Sequence, residues 1–165
     1  MAQKKKTTDR ASSRSAARLA AVQALYQMDM TGIDLNDVVA EFQMHRLGQV
    51  VEGEHYHAAD AGFFHDLVDG VVREQRILDP MLDQQLAEGW RLNRVDSILR
   101  ALLRSAAFEL YIRDDVPGRV VINEYVDIAH AFFSGEEPKV VNGVLDRLAR
   151  KVRSEEFARA ALGEG

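Results

Sequence analysis

The chain has 165 residues, of which 47% are hydrophobic and 28% charged, and this fits one globular domain or two small subdomains that share a core. It contains no cysteine, which excludes disulfides, thiolate metal sites and cysteine nucleophiles. The formal net charge of −5 is weak evidence against nucleic-acid binding, but the charge is unevenly distributed. Residues 1–18 hold six basic residues and one acidic residue, residues 19–90 hold three and thirteen, and residues 91–165 hold twelve of each.

Several protein classes are excluded by missing patterns. No apolar run reaches the length of a membrane span, and no apolar region follows the basic start as it would in a secretory signal. An organelle transit peptide is an alternative for the basic start, but the helical pattern runs on without a break. The sequence lacks glycine-rich cofactor loops and the motifs of nucleophilic hydrolases and zinc proteases. We therefore expect a cytoplasmic protein that is not an enzyme and binds no cofactor or metal.

The first half of the chain predicts helices separated by loops. Residues 1–9 are lysine-rich and polar, and are predicted to form a disordered basic arm. Good helix formers dominate from about residue 11 to residue 30, Thr31-Gly32 is a stop signal, and Asp34 can cap a second helix. Residues 48–55, with two glycines and several charges, predict a loop.

A long helix is predicted from about Tyr56 to Leu78, because its apolar residues recur with helical spacing. Pro80 can begin a short helix that stops at Gly89. Residues 94–112 give the clearest helix, with a continuous apolar face. Glu109 falls within that face, where a general base is one interpretation and a structural acid paired with Arg104 or Arg113 is the favoured one.

Two later segments fit either secondary structure. Residues 120–122 are β-branched, and residues 140–145 place Asn-Gly between apolar pairs, which is typical of a hairpin. Both segments also belong to apolar stripes of helical period that run for three to four turns, longer than a typical strand. The longer pattern favours helices, so the sequence predicts an all-α fold with about seven helices.

The most informative pattern is a row of residues spaced four apart, which begins with Arg10, Arg14 and Arg18 and continues with Val22 and Tyr26. This spacing places them on one gently drifting line along a helix. Guanidinium groups match phosphate oxygens, so the basic part of the row favours a nucleic-acid contact. A solvated helix face, an acidic protein partner and a membrane surface are the alternatives.

Three more basic residues precede this row, namely Lys4, Lys5 and Lys6. They extend the cationic stripe toward the amino terminus, and we predict that they contact RNA as well. A membrane-surface helix is disfavoured, because the residues opposite the arginines are mostly alanine and serine until Leu19.

Three stretches of the chain resemble one known family, the bacterial transcription antitermination factors called NusB. They are Arg14–Gln27 (RSAARLAAVQALYQ), Arg113–His130 (RDDVPGRVVINEYVDIAH) and Glu136–Asp146 (EEPKVVNGVLD). Their order and spacing also match the family. The resemblance implies an all-helical fold of two packed three-helix subdomains with a seventh helix, and it favours helix for both ambiguous segments.

The resemblance also implies a function and its residues. NusB proteins pair with the small-subunit ribosomal protein NusE, bind the boxA element of nascent, mainly ribosomal, RNA, and help RNA polymerase read through terminators. The arginine-rich helix of the family corresponds to Arg10, Arg14 and Arg18 here. Its acidic loop and following helix start correspond to Glu136 and Lys139, which we expect beside the RNA.

The chain departs from the family at one position of this site. Many members carry an aromatic residue just after the lysine, where this chain has Val140, which cannot stack on a base. For the domains we expect the arm at 1–9, a helical domain at 10–155 with subdomains of approximately 10–90 and 91–155, and a tail at 156–165. Tyr26, at the end of the row, is predicted to contact a protein partner.

Two functional alternatives follow from the same basic helix. In the first, the chain is a protein-only adaptor whose basic helix docks on an acidic partner. In the second, the arginine face is buried in a homodimer. Neither alternative involves RNA at the basic helix, so an RNA-binding measurement distinguishes them from the antitermination function.

Overall fold

A computed structural model describes residues 2–45, 50–51, 54–55 and 59–163. Seven helices occur in these residues, which confirms the predicted all-α fold. Their bounds are α1 Ala2–Thr31, α2 Leu35–His45, α3 Ala61–Gln85, α4 Ser97–Tyr111, α5 Gly118–Phe132, α6 Glu137–Val152 and α7 Ser154–Ala161. None of the described helices is both long enough and apolar enough to span a membrane.

The predicted loop at 48–55 contains a short β-ladder. Strands β1 (Val50–Val51) and β2 (Glu54–His55) pair antiparallel, with Val50 opposite His55. The two β-branched valines favour the extended backbone of β1. The sequence prediction gave more weight to the glycines and charged residues around them, which are typical of a loop. Residues 56–58, where the long helix was predicted to begin, lie outside the described residues.

The chain divides into two compact units, Met1–Val72 and Arg73–Gly165, so the boundary lies inside α3 and not near residue 90 as predicted. The second half of α3 belongs to the second unit because its residues bind α4 and α6. The Arg104 guanidinium donates two 2.8 Å hydrogen bonds to the Asp79 carboxylate. The backbone carbonyl of Gln85 accepts from Arg147.

Helix α1 is longer than predicted, since it begins at Ala2 and includes the residues assigned to a disordered arm. Lysine and glutamine are good helix formers, so the predicted helix can extend through these residues toward the amino terminus. Its end is as predicted: α1 stops at Thr31, and Gly32 follows with a φ of +71°, a conformation that favours glycine.

Pro80 does not begin a new helix but lies inside α3. A proline inside a helix removes one backbone hydrogen bond, and this loss destabilises the helix. Here Leu78 and Leu82, on either side of the proline, are both fully buried. Burial of this continuous apolar stripe offsets the missing hydrogen bond, so the helix continues to Gln85.

Helices α4, α5 and α6 pack against one another in the second unit. The two ambiguous segments lie in α5 and α6, so the helical prediction is confirmed. Between α4 and α5, the Tyr125 hydroxyl donates to Glu109 Oε2 at 2.6 Å and lies 2.7 Å from Ser105 Oγ. All three side chains are fully buried, so Tyr125 is a hydrogen-bond partner of Glu109 that the sequence did not predict. Arg104 binds Asp79, as described above.

Helix α7 occupies most of the segment predicted to be a tail from residue 156. It packs on the start of α5, where Glu156 Oε1 accepts the Gly118 N–H at 2.7 Å. A Cβ at position 118 would lie 2.8 Å from ring carbon Cε2 of Phe157, so glycine permits this close approach. The aromatic ring of Phe157 is buried, which gives α7 an apolar anchor that a solvated tail lacks.

Arg153, between α6 and α7, joins these helices to the end of α4. Its guanidinium donates to the backbone carbonyls of Glu109 (2.8 Å), Leu110 (2.9 Å), Arg113 (2.6 Å) and Val116. The last carbonyls of a helix lack partners within the helix, and here one side chain satisfies several of them. The cation also lies at the negative end of the α4 dipole.

Candidate nucleic-acid interface

In the first unit, two arginines of the predicted RNA-binding row contact one aromatic ring. The Cζ atom of Arg14 lies 4.7 Å from the centroid of the Phe63 ring, and the Cζ atom of Arg18 lies 4.9 Å from it. Phe63 is itself buried. Cations at this distance from an aromatic face are attracted by the ring quadrupole, so Phe63 holds both guanidinium groups in place.

The start of α3 explains why Phe63 lies beside α1. The Asp60 carboxylate accepts the backbone N–H of Phe63 at 3.0 Å and thereby caps the first turn of α3. The N–H of Asp60 donates to the carbonyl of Ser13 at 3.0 Å, which ties this turn to α1 one residue before Arg14. The phenylalanine is therefore presented to the arginines by a hydrogen-bonded connection between the two helices.

The two arginines differ in exposure. Arg18 is only 3% exposed, whereas Arg14 is partly exposed. For Arg18 the structure therefore favours a packing role over the predicted phosphate contact, because a phosphate group needs an accessible guanidinium. Arg14 has both a fixed position and access to solvent, which suits a phosphate contact.

The remaining sequence-predicted residues of this unit also lie in α1. Tyr26 is partly exposed near its carboxyl end. Four basic residues belong to the first turns of the helix, and their side chains lie outside the part of the chain that the structure describes. We call them the amino-terminal cationic cluster: Lys4, Lys5, Lys6 and Arg10.

The difference in burial predicts different effects of substitution. Arg18→Gln is expected to lower the free energy of unfolding by about 1–3 kcal/mol, because a buried cation loses its aromatic contact and the site is left poorly filled. Arg14→Gln, at the partly exposed position, is expected to cost less than about 1 kcal/mol. Urea unfolding of both variants measures this difference, and equal losses of stability would contradict the assigned roles.

In the second unit, the predicted residues Glu136 and Lys139 line a cavity of about 310 Å³. Helix α6 contributes one side of it through positions spaced three and four apart, and the segment after α3 contributes the other. The complete lining is Ala87, Trp90, Glu136, Lys139, Val140, Gly143, Val144 and Arg147. The cavity thus combines an aromatic ring and apolar walls with two cations and one carboxylate.

Local hydrogen bonds place Trp90 at this cavity. Gly89, with a φ of +93°, turns the chain after α3, and the N–H of Trp90 donates to the carbonyl of Ala87 at 2.9 Å. The Asp83 carboxylate then accepts the N–H of Leu92 at 2.9 Å, which folds the segment back on α3. The result is a short connection that holds the indole beside α6.

Arg147 fixes the other side of the same connection. Its Nη2 and Nε atoms donate to the carbonyl of Gln85 at 2.6 and 3.2 Å, which ties α6 to the last residue of α3. Trp90 and Arg147 were not predicted as site residues from the sequence. Trp90 is the single tryptophan of the chain and follows a turn glycine, but the sequence alone does not show which helix lies beside it.

The described residues of the candidate interface carry mostly cationic and aromatic groups, which are poor metal ligands. Within residues 2–45, 50–51, 54–55 and 59–163, no three histidine, aspartate or glutamate side chains are grouped so as to hold a metal ion. The groups that the structure assembles are guanidinium, ammonium, carboxylate and aromatic groups. This set suits recognition of an anionic ligand with planar polar groups.

Comparison with protein families matches residues 15–150 to the model of the NusB family. The chain belongs to the NusB family. Among its relatives, the transcription antitermination protein NusB of Rhodopseudomonas palustris (strain BisB18) is 55% identical over 168 residues, covering 96% of this chain and 99% of that protein. The NusB protein of Bradyrhizobium diazoefficiens is 56% identical over 153 residues, and the match covers 93% of each of the two chains.

Solved NusB structures share the fold. The NusB structure of T. maritima has a TM-score of 0.71 at 29% identity and covers 88% of this chain and 96% of its own. A crystal structure of the antitermination factors NusB and NusE in complex with dsRNA gives a TM-score of 0.67 at 24% identity, covering 84% and 96% of the two chains. At that identity the second comparison supports the NusB fold alone.

Proposed function

We propose that this chain is an RNA-binding antitermination factor. Together with the ribosomal protein NusE, it binds the boxA element of nascent ribosomal RNA and promotes read-through by RNA polymerase. The observation that carries the proposal is α1, a helix rich in basic residues whose Arg14 is partly exposed, in a chain of the NusB family. The cationic cluster and Arg14 lie on one unbroken helix, and Phe63 holds the Arg14 guanidinium in a fixed position.

The charge distribution gives the binding mechanism. Contacts between the basic helix and phosphates release condensed counterions, so RNA affinity depends strongly on salt concentration. Residues 19–90, with thirteen acidic and three basic residues, repel RNA and confine it to the basic surface. Phosphate contacts carry little sequence information, so selection of boxA comes from groups that read single-stranded bases.

Glu136 and Lys139 are the residues of the second unit that we assign to base and backbone recognition. A carboxylate accepts hydrogen bonds from the amino groups of bases, and an ammonium group binds phosphate oxygens. Tyr26 is assigned to the contact with a protein partner, for which a partly exposed aromatic residue is suited. The proposed activity is binding and not catalysis, and it takes place in the cytoplasm where the RNA is transcribed.

A transcription assay tests this function. The template carries a boxA leader followed by a terminator, and the reaction contains cell extract depleted of its own NusB and supplemented with NusE. Addition of this chain is expected to increase read-through on the boxA template and not on a template with scrambled boxA. Equal read-through on both templates would contradict an RNA-directed role.

The transcription assay also tests the adaptor alternative, and light scattering tests the homodimer alternative. A protein-only adaptor acts on both templates alike, since it reads no RNA sequence. If the arginine face is buried in a homodimer, light scattering gives the mass of a dimer. Adding RNA then leaves the measured mass unchanged, because no RNA binds. The proposed function instead predicts that RNA and NusE form a complex containing one copy of this chain.

A further inference from the structure

The cavity in the second unit has the size of a site for one small planar group. Its volume of about 310 Å³ lies at the lower end of the range for ligand pockets. One side is formed by the partly exposed Trp90, and Val140, Val144 and Ala87 supply further apolar surface. An aromatic ring next to small apolar side chains is the kind of surface on which a second flat ring packs.

The polar groups of the lining complement a ligand that joins a flat ring to negatively charged groups. Lys139 and Arg147 are cationic and exposed, while Glu136 is an exposed carboxylate. The Arg147 guanidinium has a fixed position, because two of its nitrogens donate to the Gln85 carbonyl. A fixed guanidinium loses little entropy on binding a phosphate group.

Glycine at position 143 keeps the guanidinium close to the backbone of α6. A Cβ at that position would lie 3.1 Å from Arg147 Nη1. The guanidinium therefore packs closely against the backbone of α6 at Gly143. The carboxylate of Glu136, one turn before Lys139 and Val140, provides acceptors for base amino groups. Stacking surface, cationic groups and an acceptor therefore occur together on one unit.

We propose that this cavity binds one unpaired nucleobase of RNA, with Trp90 as the stacking surface. Lys139 and Arg147 contact the flanking phosphates, and Glu136 accepts from an amino group of the base. Stacking on aromatic side chains is the usual way in which proteins hold single-stranded bases. The inference rests on the proposed function, because it assigns a base-binding site to the same RNA.

Tryptophan fluorescence provides the test, since Trp90 is the single tryptophan of the chain. Fluorescein-labelled boxA RNA is added to this chain with NusE, and both RNA anisotropy and tryptophan emission are recorded. We expect saturable quenching of the emission, with the midpoint at the dissociation constant given by anisotropy. A complex formed with Trp90→Phe gives the background emission of NusE.

Two substitutions separate stacking from folding. Trp90→Leu keeps an apolar side chain but removes the aromatic face, so RNA binding is expected to weaken by about tenfold. Trp90→Phe keeps an aromatic face and is expected to bind within about threefold of the parent chain. Thermal unfolding of both variants checks that they are folded at the temperature of the binding assay.

The outcomes distinguish this inference from the proposed function. RNA binding without quenching, and with an unchanged affinity of Trp90→Leu, overturns the base site and leaves the function intact. Quenching by NusE alone, unaltered by RNA, assigns the cavity to the protein partner and also overturns the base site. Absence of RNA binding by the parent chain with NusE overturns the proposed function.

Discussion

Replacing Arg153 by methionine is expected to lower the free energy of unfolding by about 3–5 kcal/mol. The side chain of Arg153 is only 8% exposed, and its guanidinium donates to four backbone carbonyls in and after the last turn of α4. Methionine fills much of the volume but donates no hydrogen bond. Several partly buried carbonyls thereby lose their donor, and the end of α4 loses its neutralising charge.

Arg150→Met is the matched control for this prediction, because it makes the same change one turn earlier in α6. The Arg150 side chain is 58% exposed and pairs with Asp146, so its loss is expected to cost less than about 1 kcal/mol. Urea unfolding measures both values. A loss below about 1 kcal/mol for Arg153→Met would show that the carbonyl contacts do not stabilise the second unit.

Replacing all four residues of the amino-terminal cationic cluster by glutamine is expected to weaken boxA binding by at least about tenfold at low salt. Glutamine preserves helix propensity, so the change acts on charge and not on α1 itself. Each lost phosphate contact lowers the slope of log affinity against log salt by about 0.7 for single-stranded RNA. The slope is therefore expected to fall by up to about 3, measured by anisotropy over a salt series.

The control for the cluster makes the same change in net charge elsewhere. Arg73, Arg76, Arg91 and Arg94 are exposed arginines outside the assigned RNA-binding residues, and replacing all four by glutamine also removes four positive charges. If the cluster contacts phosphates directly, this control keeps the salt slope of the parent chain. Equal loss of affinity and slope in both variants would mean that only total charge matters.

The sequence predicted α4, α5 and α6 well because their signals are local. The apolar stripes of α4, α5 and α6 repeat every three or four residues, and that period outweighed the β-branched residues at 120–122 and the Asn-Gly pair at 142–143. The stop of α1 at Thr31 was equally local, since it depends on Gly32. Patterns within a few residues of the chain sufficed in these cases.

The errors arose where contacts distant in sequence determine the structure. Pro80 is a local breaker, but buried leucines on both sides keep α3 continuous. The charge row alone cannot show that Arg18 is buried, because its burial depends on Phe63 from another helix. In the same way, the sequence around Trp90 does not show that α6 lies beside it, because the link between Arg147 and Gln85 joins residues 62 positions apart. Helical periodicity contains no information about these partners.

The most direct test of the RNA-binding function is the dissociation constant of labelled boxA RNA, measured with and without NusE. Scrambled RNA of the same length and composition is measured in parallel at one salt concentration. We expect the chain with NusE to prefer boxA by at least about tenfold, and the chain alone to bind more weakly and with less selectivity. Equal affinity for boxA and scrambled RNA in the presence of NusE would contradict the proposed function.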